Sequence, residues 1–246
     1  MKAIILAAGA GIRLNSGKIT TKPKSMEIIN GISIIHYQIR CCLKYGIQKF
    51  AIVVGFQKEL LIQHVLEVLK IEQVAFIENP IYDKTNTLYS LYLAKKYMCE
   101  DFIYFNADVL FHPLLLKKLV NGMDANLLLI EKVETGAEEV KIKTKNGIIM
   151  EISKCINPSE ADGEFIGIAK FIERDLPCFI ECLEFGVSTQ QENNYFEYAL
   201  NMMSLDKSLI AIYTEGLPCI EIDFPDDLKR AREELFVDIL NLLDVT

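Results

Sequence analysis

The chain opens with a short apolar run, Lys2–Ala7, that has no polar alternation. That pattern predicts a strand buried on both faces of a parallel sheet. A glycine-bearing loop, Ala8-Gly9-Ala10-Gly11, follows at once. Ile35, Ile39, Cys42 and Leu43 fall on one face of a 3.6-residue period, so Ile32–Tyr45 is predicted as a helix. Phe50–Val54 reads as a second buried strand, Leu60–Leu69 as a helix and Val74–Ile77 as a third strand. Asn86–Tyr97 reads as a helix, and Phe102–Phe105 as a fourth strand running into Asn106-Ala107-Asp108. His112–Val120 is a further predicted helix and Asn126–Glu131 a further strand. Strands alternating with helices predict an α/β fold with a Rossmann-like, doubly wound and mostly parallel sheet.

The rhythm changes after residue 131. Glu139–Lys143 and Ile148–Ile152 flank Asn146-Gly147, a strong two-residue hairpin signal. Phe165–Phe171 is predicted as a strand, and Glu173–Leu183 and Asn193–Ser204 as helices. Two short strands, Leu209–Tyr213 and Cys219–Ile222, precede a last helix from about Pro225 to Leu243. No Ser/Gly/Pro-rich linker separates the two parts. The expectation is one domain over 1–246, with residues 1–131 as one half and the mixed strands of 132–246 as the other.

Composition narrows the classes. The 246 residues are 51% hydrophobic and 24% charged, an ordinary globular balance, with a formal net charge of −8. A generic nucleic-acid or anionic-membrane binder would be basic, so neither partner is expected. No apolar run approaches the ~18 residues of a membrane span. The stretch Ala3–Ile12 lacks a charged lead-in and a cleavage site, so it does not read as a signal peptide. Seven cysteines without C-x-x-C spacing, and three scattered histidines, are expected to be reduced thiols and ordinary side chains of a cytoplasmic protein.

Charge is unevenly placed. Residues 1–26 contain Lys2, Arg13, Lys18, Lys22 and Lys24 and no acid; the first acid is Glu27. An acidic protein thus concentrates positive charge where its first parallel strand ends. That edge is where open α/β sheets bind ligands. Glycines let backbone N–H groups approach a phosphate, and Arg and Lys neutralise it. The loop lacks the third glycine of a G-x-G-x-x-G dinucleotide site and the G-K-[ST] ending of a P-loop.

Leu6-Ala-Ala-Gly9-Ala-Gly11-Ile-Arg13-Leu14, followed by Lys22-Pro23-Lys24, resembles the signature of the nucleotidyltransferases, the nucleoside-diphosphate-sugar pyrophosphorylases and their relatives. The resemblance extends over the whole chain and implies the nucleotide-diphospho-sugar transferase type of fold. The stretch from Glu78 through Tyr82, Asn86 and Ser90 to Leu91 is similar to the branch that activates phosphocholine and small phosphonates with CTP. Ile152-Ser-Lys154, Gly163-Glu164-Phe-Ile-Gly167 and Glu221-Ile-Asp223 through Leu228 are similar to cytidylyltransferases of phosphonate metabolism. The segment between Arg13 and Pro23, which holds Lys18, is one residue longer than that pattern and lacks its usual proline.

The resemblance implies that Leu6, Ala8, Gly9, Gly11 and Arg13 bind the nucleotide, with Arg13 on the β/γ phosphates. Lys24 is the candidate to neutralise the transferred phosphate. Asp108, at the end of a buried strand, is a candidate Mg²⁺ ligand. Asp223 is read either as the second ligand, which the resemblance favours, or as the N-cap of the Pro225 helix. Asp226 and Asp227 suit that helix's first turn. Asn86 and Ser90 are candidates for reading the base, although Asn86 also suits a helix N-cap. Lys154 is a candidate for the acceptor's phosphate or phosphonate, or a solvated surface lysine. Glu164 either faces a cationic acceptor or plays a structural part. Tyr82, Tyr89 and Tyr92 offer faces for a cation but suit a core equally.

The expected activity is Mg²⁺-dependent transfer of CMP from CTP to a small phosphonate or phosphorylated acceptor, such as 2-aminoethylphosphonate or phosphocholine, with release of pyrophosphate. The alternatives are a sugar-1-phosphate nucleotidyltransferase using UTP, dTTP or GTP, and a non-catalytic nucleotide-binding module. CTP and a small anionic acceptor are the expected partners, and a homodimer is compatible with the pattern.

Overall fold

The computed structural model describes residues 1–15 and 21–244. Lys18 lies outside the described residues. The first half contains β1 (Lys2–Ala7), the hairpin β2 (Ile28–Ile29) and β3 (Ile32–Ser33), α1 (Ile34–Lys44), β4 (Phe50–Val54) and α2 (Lys58–Val65). β5 (Val74–Glu78), α3 (Thr87–Leu93), β6 (Phe102–Asn106), β7 (Val109–Phe111), α4 (Pro113–Val120) and β8 (Asn126–Glu131) follow. The second half contributes β9 (Lys141–Lys145), β10 (Ile148–Ser153), β11 (Gly163–Phe171), α5 (Leu176–Ser188), α6 (Glu197–Met203), β12 (Leu209–Tyr213), β13 (Cys219–Glu221), α7 (Pro225–Arg230) and α8 (Ile239–Leu242).

Nine strands from both halves form one sheet in the order β5-β4-β1-β6-β11-β8-β12-β10-β9. β5, β4, β1 and β6 are mutually parallel, as buried apolar runs joined by helices require. β11 inserts antiparallel between β6 and β8, and β9–β10 adds the antiparallel hairpin at the far edge. Its turn uses Asn146 and Gly147, both at positive φ.

Side chains alternate across β1. Ala3, Ile5 and Ala7 pack with α1, α2 and α4, while Ile4 and Leu6 pack with α3, α5 and α6. The order turns back at β1: the chain moves outward to β4 and β5, then returns to lay β6 on the other side. Such a reversal opens a crevice between the carboxyl ends of the two central strands. Ala8–Gly11 leaves β1 there, and Asn106–Asp108 leaves β6 there.

Several predicted boundaries move. Ile32 and Ser33 pair as β3, and the Ser33 hydroxyl then caps α1 by accepting from His36 N–H. Residues 193–196 are not helical. They strap α3 instead, with Leu88 N–H donating to Asn194 O and Phe196 N–H to Thr87 Oγ1. The last helix breaks after Arg230 into a wide turn at 231–235, and α8 follows separately. The Asn30 side chain explains the break: its Nδ2 donates to Arg232 O at 2.8 Å and to Phe236 O at 3.0 Å, occupying carbonyls that a continuous helix would use. The seven cysteines are free, as expected, and among the described residues no helix is long and apolar enough to cross a membrane.

β11 carries an irregularity between Phe165 and Ala169, with Gly167 at φ +73°. A Cβ at Gly167 would lie 2.6 Å from Asn106 Nδ2. Gly167→Ala is therefore expected to destabilise the protein by about 1–3 kcal/mol, from left-handed strain and displacement of Asn106. For a chain of this length that lowers the melting temperature by roughly 2–10 °C. A calorimetric scan checks this; an unchanged melting temperature contradicts it.

Candidate active site

The crevice is a cleft of about 800 Å³ at the carboxyl edge of the sheet. Every predicted site residue lines it: Leu6, Ala8, Gly9, Gly11, Arg13, Lys24, Asn86, Ser90, Asp108, Lys154, Glu164 and Asp223. Local geometry shows how they are brought together. Gly11 sits at φ +62°, and a Cβ there would meet the Lys24 Cβ at 2.7 Å. Glycine therefore lets the Lys24 stem lie across the loop. Lys24 Nζ reaches Asp108 Oδ2 at 2.5 Å and Asp223 Oδ1 at 2.7 Å. Arg13 reaches Asp223 Oδ2 at 3.0 Å, and its guanidinium lies 5.7 Å from the Phe224 ring centroid.

A two-stranded ribbon assembles the carboxylates. β13 pairs antiparallel with β7, placing Glu221 opposite Val109, and Ile222 N–H donates to Asp108 O. Asp108, Glu221 and Asp223 thereby offer carboxylate oxygens within 4.8 Å of one another. From below, the buried Gln38 of α1 donates from Nε2 to Asn106 O and Val109 O, fixing the turn that carries Asp108. The Tyr104 hydroxyl donates to Asn106 Oδ1, which leaves Asn106 Nδ2 to donate to Glu221 Oε1 at 3.3 Å.

The electrostatics follow from crowding. Burial alone would lower the Lys24 pKa, but Asp108, Asp223 and Glu221 outweigh it and hold the ammonium above the usual lysine range. Burial, then the charges of Asp108 and Asp223, push the Glu221 carboxyl well up, against the pull of Lys24. Asp108 Oδ1 is buried with no hydrogen-bond partner among the described residues. One ammonium does not saturate three carboxyls.

Two readings resolve. Asp223 is not the N-cap; Phe224 holds that position, and Asp227 in the first turn accepts through Oδ2 from Asp223 N–H at 3.0 Å and Phe224 N–H at 2.7 Å. Asp227 thereby holds the backbone that presents Asp223. Asn86 is the N-cap of α3, accepting from Thr87 N–H, while it also lines the cleft. Ser90 Oγ accepts from Asn79 Nδ2 at 3.1 Å. Asp108 does not cap α4; His112 does, through Nδ1.

The basic loop is less concentrated than the sequence suggests. Lys2 lies at the opposite end of β1, pairing with Glu100, because strand direction carries it away from the cleft. Lys22 pairs with Glu27 at 3.2 Å. Tyr89 and Tyr92 stack on each other outside the cleft, and Tyr82 packs against Phe56 while lining it. Acidic side chains outnumber basic ones in the lining. Sequence reasoning missed Glu221, Asn106, Tyr195 and Glu197. Glu221 carried a signal, two residues before Asp223 at the end of a short strand.

At the far wall, Glu164 pairs across strands with Glu131 and Lys141. Burial, with Glu139 and Glu131 nearby, pushes its carboxyl up to about 7. Glu197 is also pushed up to about 7, mainly by burial, although Lys154 and its own backbone N–H favour the charge. Lys154 Nζ lies 4.6 Å from the Tyr195 ring centroid. A carboxyl that keeps its proton in the folded state up to about 7, and loses it near 4.5 when unfolded, makes stability fall as pH rises between those values. At that shift the penalty reaches ~3 kcal/mol above pH 7. Glu197→Gln is expected to melt several degrees higher than the wild type at pH 8 and to coincide with it below pH 4.5. An equal difference at both pH values contradicts this.

Comparison with known proteins agrees with the geometry. The "Nucleotidyl transferase" family profile matches residues 2–173. A CTP:phosphoglutamine cytidylyltransferase of Campylobacter jejuni is 30% identical over 256 residues, covering 93% of this chain and 98% of the relative. A choline-phosphate cytidylyltransferase of Streptococcus pneumoniae is 38% identical over 104 residues, 42% of this chain and 43% of that one. Among solved structures, CTP:phosphocholine cytidylyltransferase from S. pneumoniae superposes with a TM-score of 0.80 at 23% identity, over 94% of this chain and 97% of that one. The chain therefore belongs to the nucleotidyl transferase family, and the protein is a nucleotidyltransferase.

Proposed function

We propose that the protein transfers CMP from CTP to a small phosphonate or phosphorylated acceptor and releases pyrophosphate. The observation that carries the reading is the Lys24 ammonium bridging Asp108 and Asp223 at the switch point of the sheet. The choice of CTP rests on the relatives named for cytidylyl transfer.

The reaction joins two anions. An acceptor oxygen attacks the α-phosphorus, the α–β bridging P–O bond breaks, and pyrophosphate leaves with its electron pair. The acceptor oxygen is already anionic, so no general base is required, and catalysis is positioning and charge compensation. Lys24 neutralises the transferred phosphate, and Arg13 takes the β and γ phosphates. Backbone N–H groups of Ala8–Gly11 approach the triphosphate. Asn86 Nδ2 and the Ser90 hydroxyl face the base edge in this reading. Lys154 takes the acceptor's anionic group, and Glu164 faces a cationic group of the acceptor.

The carboxyl trio fits Mg²⁺. Asp108, Glu221 and Asp223 are hard oxygen donors within 4.8 Å of one another, and the buried Asp108 Oδ1 has no partner among the described residues. An acid-lined cleft also needs added positive charge before it can accept a triphosphate. These three residues would hold the ion, which when bound compensates the charge on the phosphates and on the leaving pyrophosphate.

The test is pyrophosphate release with Mg²⁺, crossing CTP, UTP, GTP, ATP and dTTP with 2-aminoethylphosphonate, phosphocholine and glucose-1-phosphate. Turnover with CTP and a non-sugar acceptor is expected; turnover only with the sugar phosphate overturns the reading. Lys154→Ala is expected to raise the acceptor KM by about tenfold or more and to leave the CTP KM within about twofold. Equal weakening of both contradicts the placement of Lys154.

A further inference from the structure

Asn79 is buried behind the cleft wall and is not part of the cleft lining. It follows β5 directly, and its N–H donates to Val54 O at 2.8 Å, which carries the parallel pairing to the carboxyl edge of the sheet. Its side-chain Oδ1 accepts from Ile81 N–H at 3.1 Å. That bond fixes which way the amide faces, since a reversed amide would set two donors against each other. Nδ2 then donates to Thr85 Oγ1 at 3.0 Å and to Ser90 Oγ at 3.1 Å. Both amide protons are consumed inside the wall.

Thr85 and Ser90 do line the cleft. A hydroxyl by itself rotates to donate or to accept. Asn79 removes that freedom. The Thr85 hydroxyl accepts from Asn79 and gives its one proton to Ile81 O at 2.9 Å, so only a lone pair remains for a ligand. The Ser90 hydroxyl also accepts from Asn79, and its proton meets no acceptor among the described residues. Ser90 is buried, so a proton without an acceptor there is unfavourable until a ligand supplies one. One amide nitrogen thus sets two neighbouring hydroxyls to opposite polarities.

We propose that Asn79 is the positioning residue for base discrimination: it holds Ser90 as a donor and Thr85 as an acceptor toward the base. Among the pyrimidines, cytosine matches that pair with its N3 acceptor and N4 amino group. Uracil reverses it, with an N3–H donor and an O4 acceptor. The inference rests on the cytidylyl reading above and deepens it, by naming a residue outside the cleft that sets the preference. A mismatched base leaves the buried hydroxyls unpaired, which such sites reject strongly.

The test is calorimetric titration of CTP and of UTP, with Mg²⁺ and without acceptor, into the wild type, Asn79→Asp and Asn79→Ser, with a cooperative melt of each to establish folding. Asn79→Asp has the shape of the native side chain and keeps the acceptor for Ile81 N–H. Its carboxylate offers no proton, so Ser90 turns its own proton onto it and faces the base with a lone pair. The wild type is expected to bind CTP about tenfold or more tighter than UTP. Asn79→Asp should cut that ratio by about tenfold, by weakening CTP while UTP binds as well or better. If Asn79→Asp does not fold, Asn79→Ser answers the same question: it frees both hydroxyls to rotate, and the ratio should fall toward one. An unchanged ratio, or a loss shared equally by CTP and UTP, overturns the assignment to Asn79 and leaves the cytidylyl reading standing. A wild type that binds UTP as tightly as CTP, or neither, overturns that reading and this inference with it.

Discussion

The Lys24 ammonium held between Asp108 and Asp223 is the contact on which the site depends. It joins three parts of the chain that have no local reason to meet: the segment after the first strand's loop, the end of the fourth parallel strand, and the ribbon near the carboxyl terminus. A buried ammonium is unfavourable without carboxylates, and three crowded carboxyls are unfavourable without a cation. Each therefore requires the other in the ligand-free protein. In the proposed function the same groups form the charge arrangement that a triphosphate meets. The excess of carboxyl over ammonium leaves room for further positive charge there.

The rest of the fold delivers these groups. Parallel β1 and β6 aim their exit loops at the same edge because the strand order reverses between them. The β7–β13 ribbon sets the register that places Glu221 and Asp223 over Asp108. Gln38, Tyr104 and Asp227 then fix individual backbones and amides by hydrogen bonds. The Lys154 end of the cleft is built by another route. Residues 193–196 strap α3, which brings Tyr195 and Glu197 to the cleft beside Asn86.

Much of this was legible in the sequence. The unbroken apolar runs of β1, β4 and β6 state that they are buried parallel strands, and Asn146-Gly147 states its hairpin. Arg13, Lys24, Asp108 and Asp223 stood out through the resemblance to the nucleotidyltransferase signature, and the fold brings them together. What was hidden depends on long-range contact. No local pattern says that Asn30 will take the carbonyls of 232 and 236 and break the last helix. Nor does any say that Lys2 leaves the basic cluster by pointing down its strand. The acidity of the cleft was illegible because its carboxyls come from several separate strands and loops. Glu197 was hidden because it reads as an ordinary polar position at the start of a helix, and only the structure shows it to be buried.

The central claim is that the Lys24–Asp108–Asp223 cluster is the catalytic centre of nucleotidyl transfer, not a structural ion pair. Single-turnover pyrophosphate release by Lys24→Met tests it most directly, with a cooperative melt of the same sample to establish folding and the nucleotide–acceptor pair that the wild type uses best. Loss of a preorganised charge at the reacting phosphate predicts a rate fall of ~10²–10³ in a folded variant. A folded variant that releases pyrophosphate at close to the wild-type rate would contradict the account.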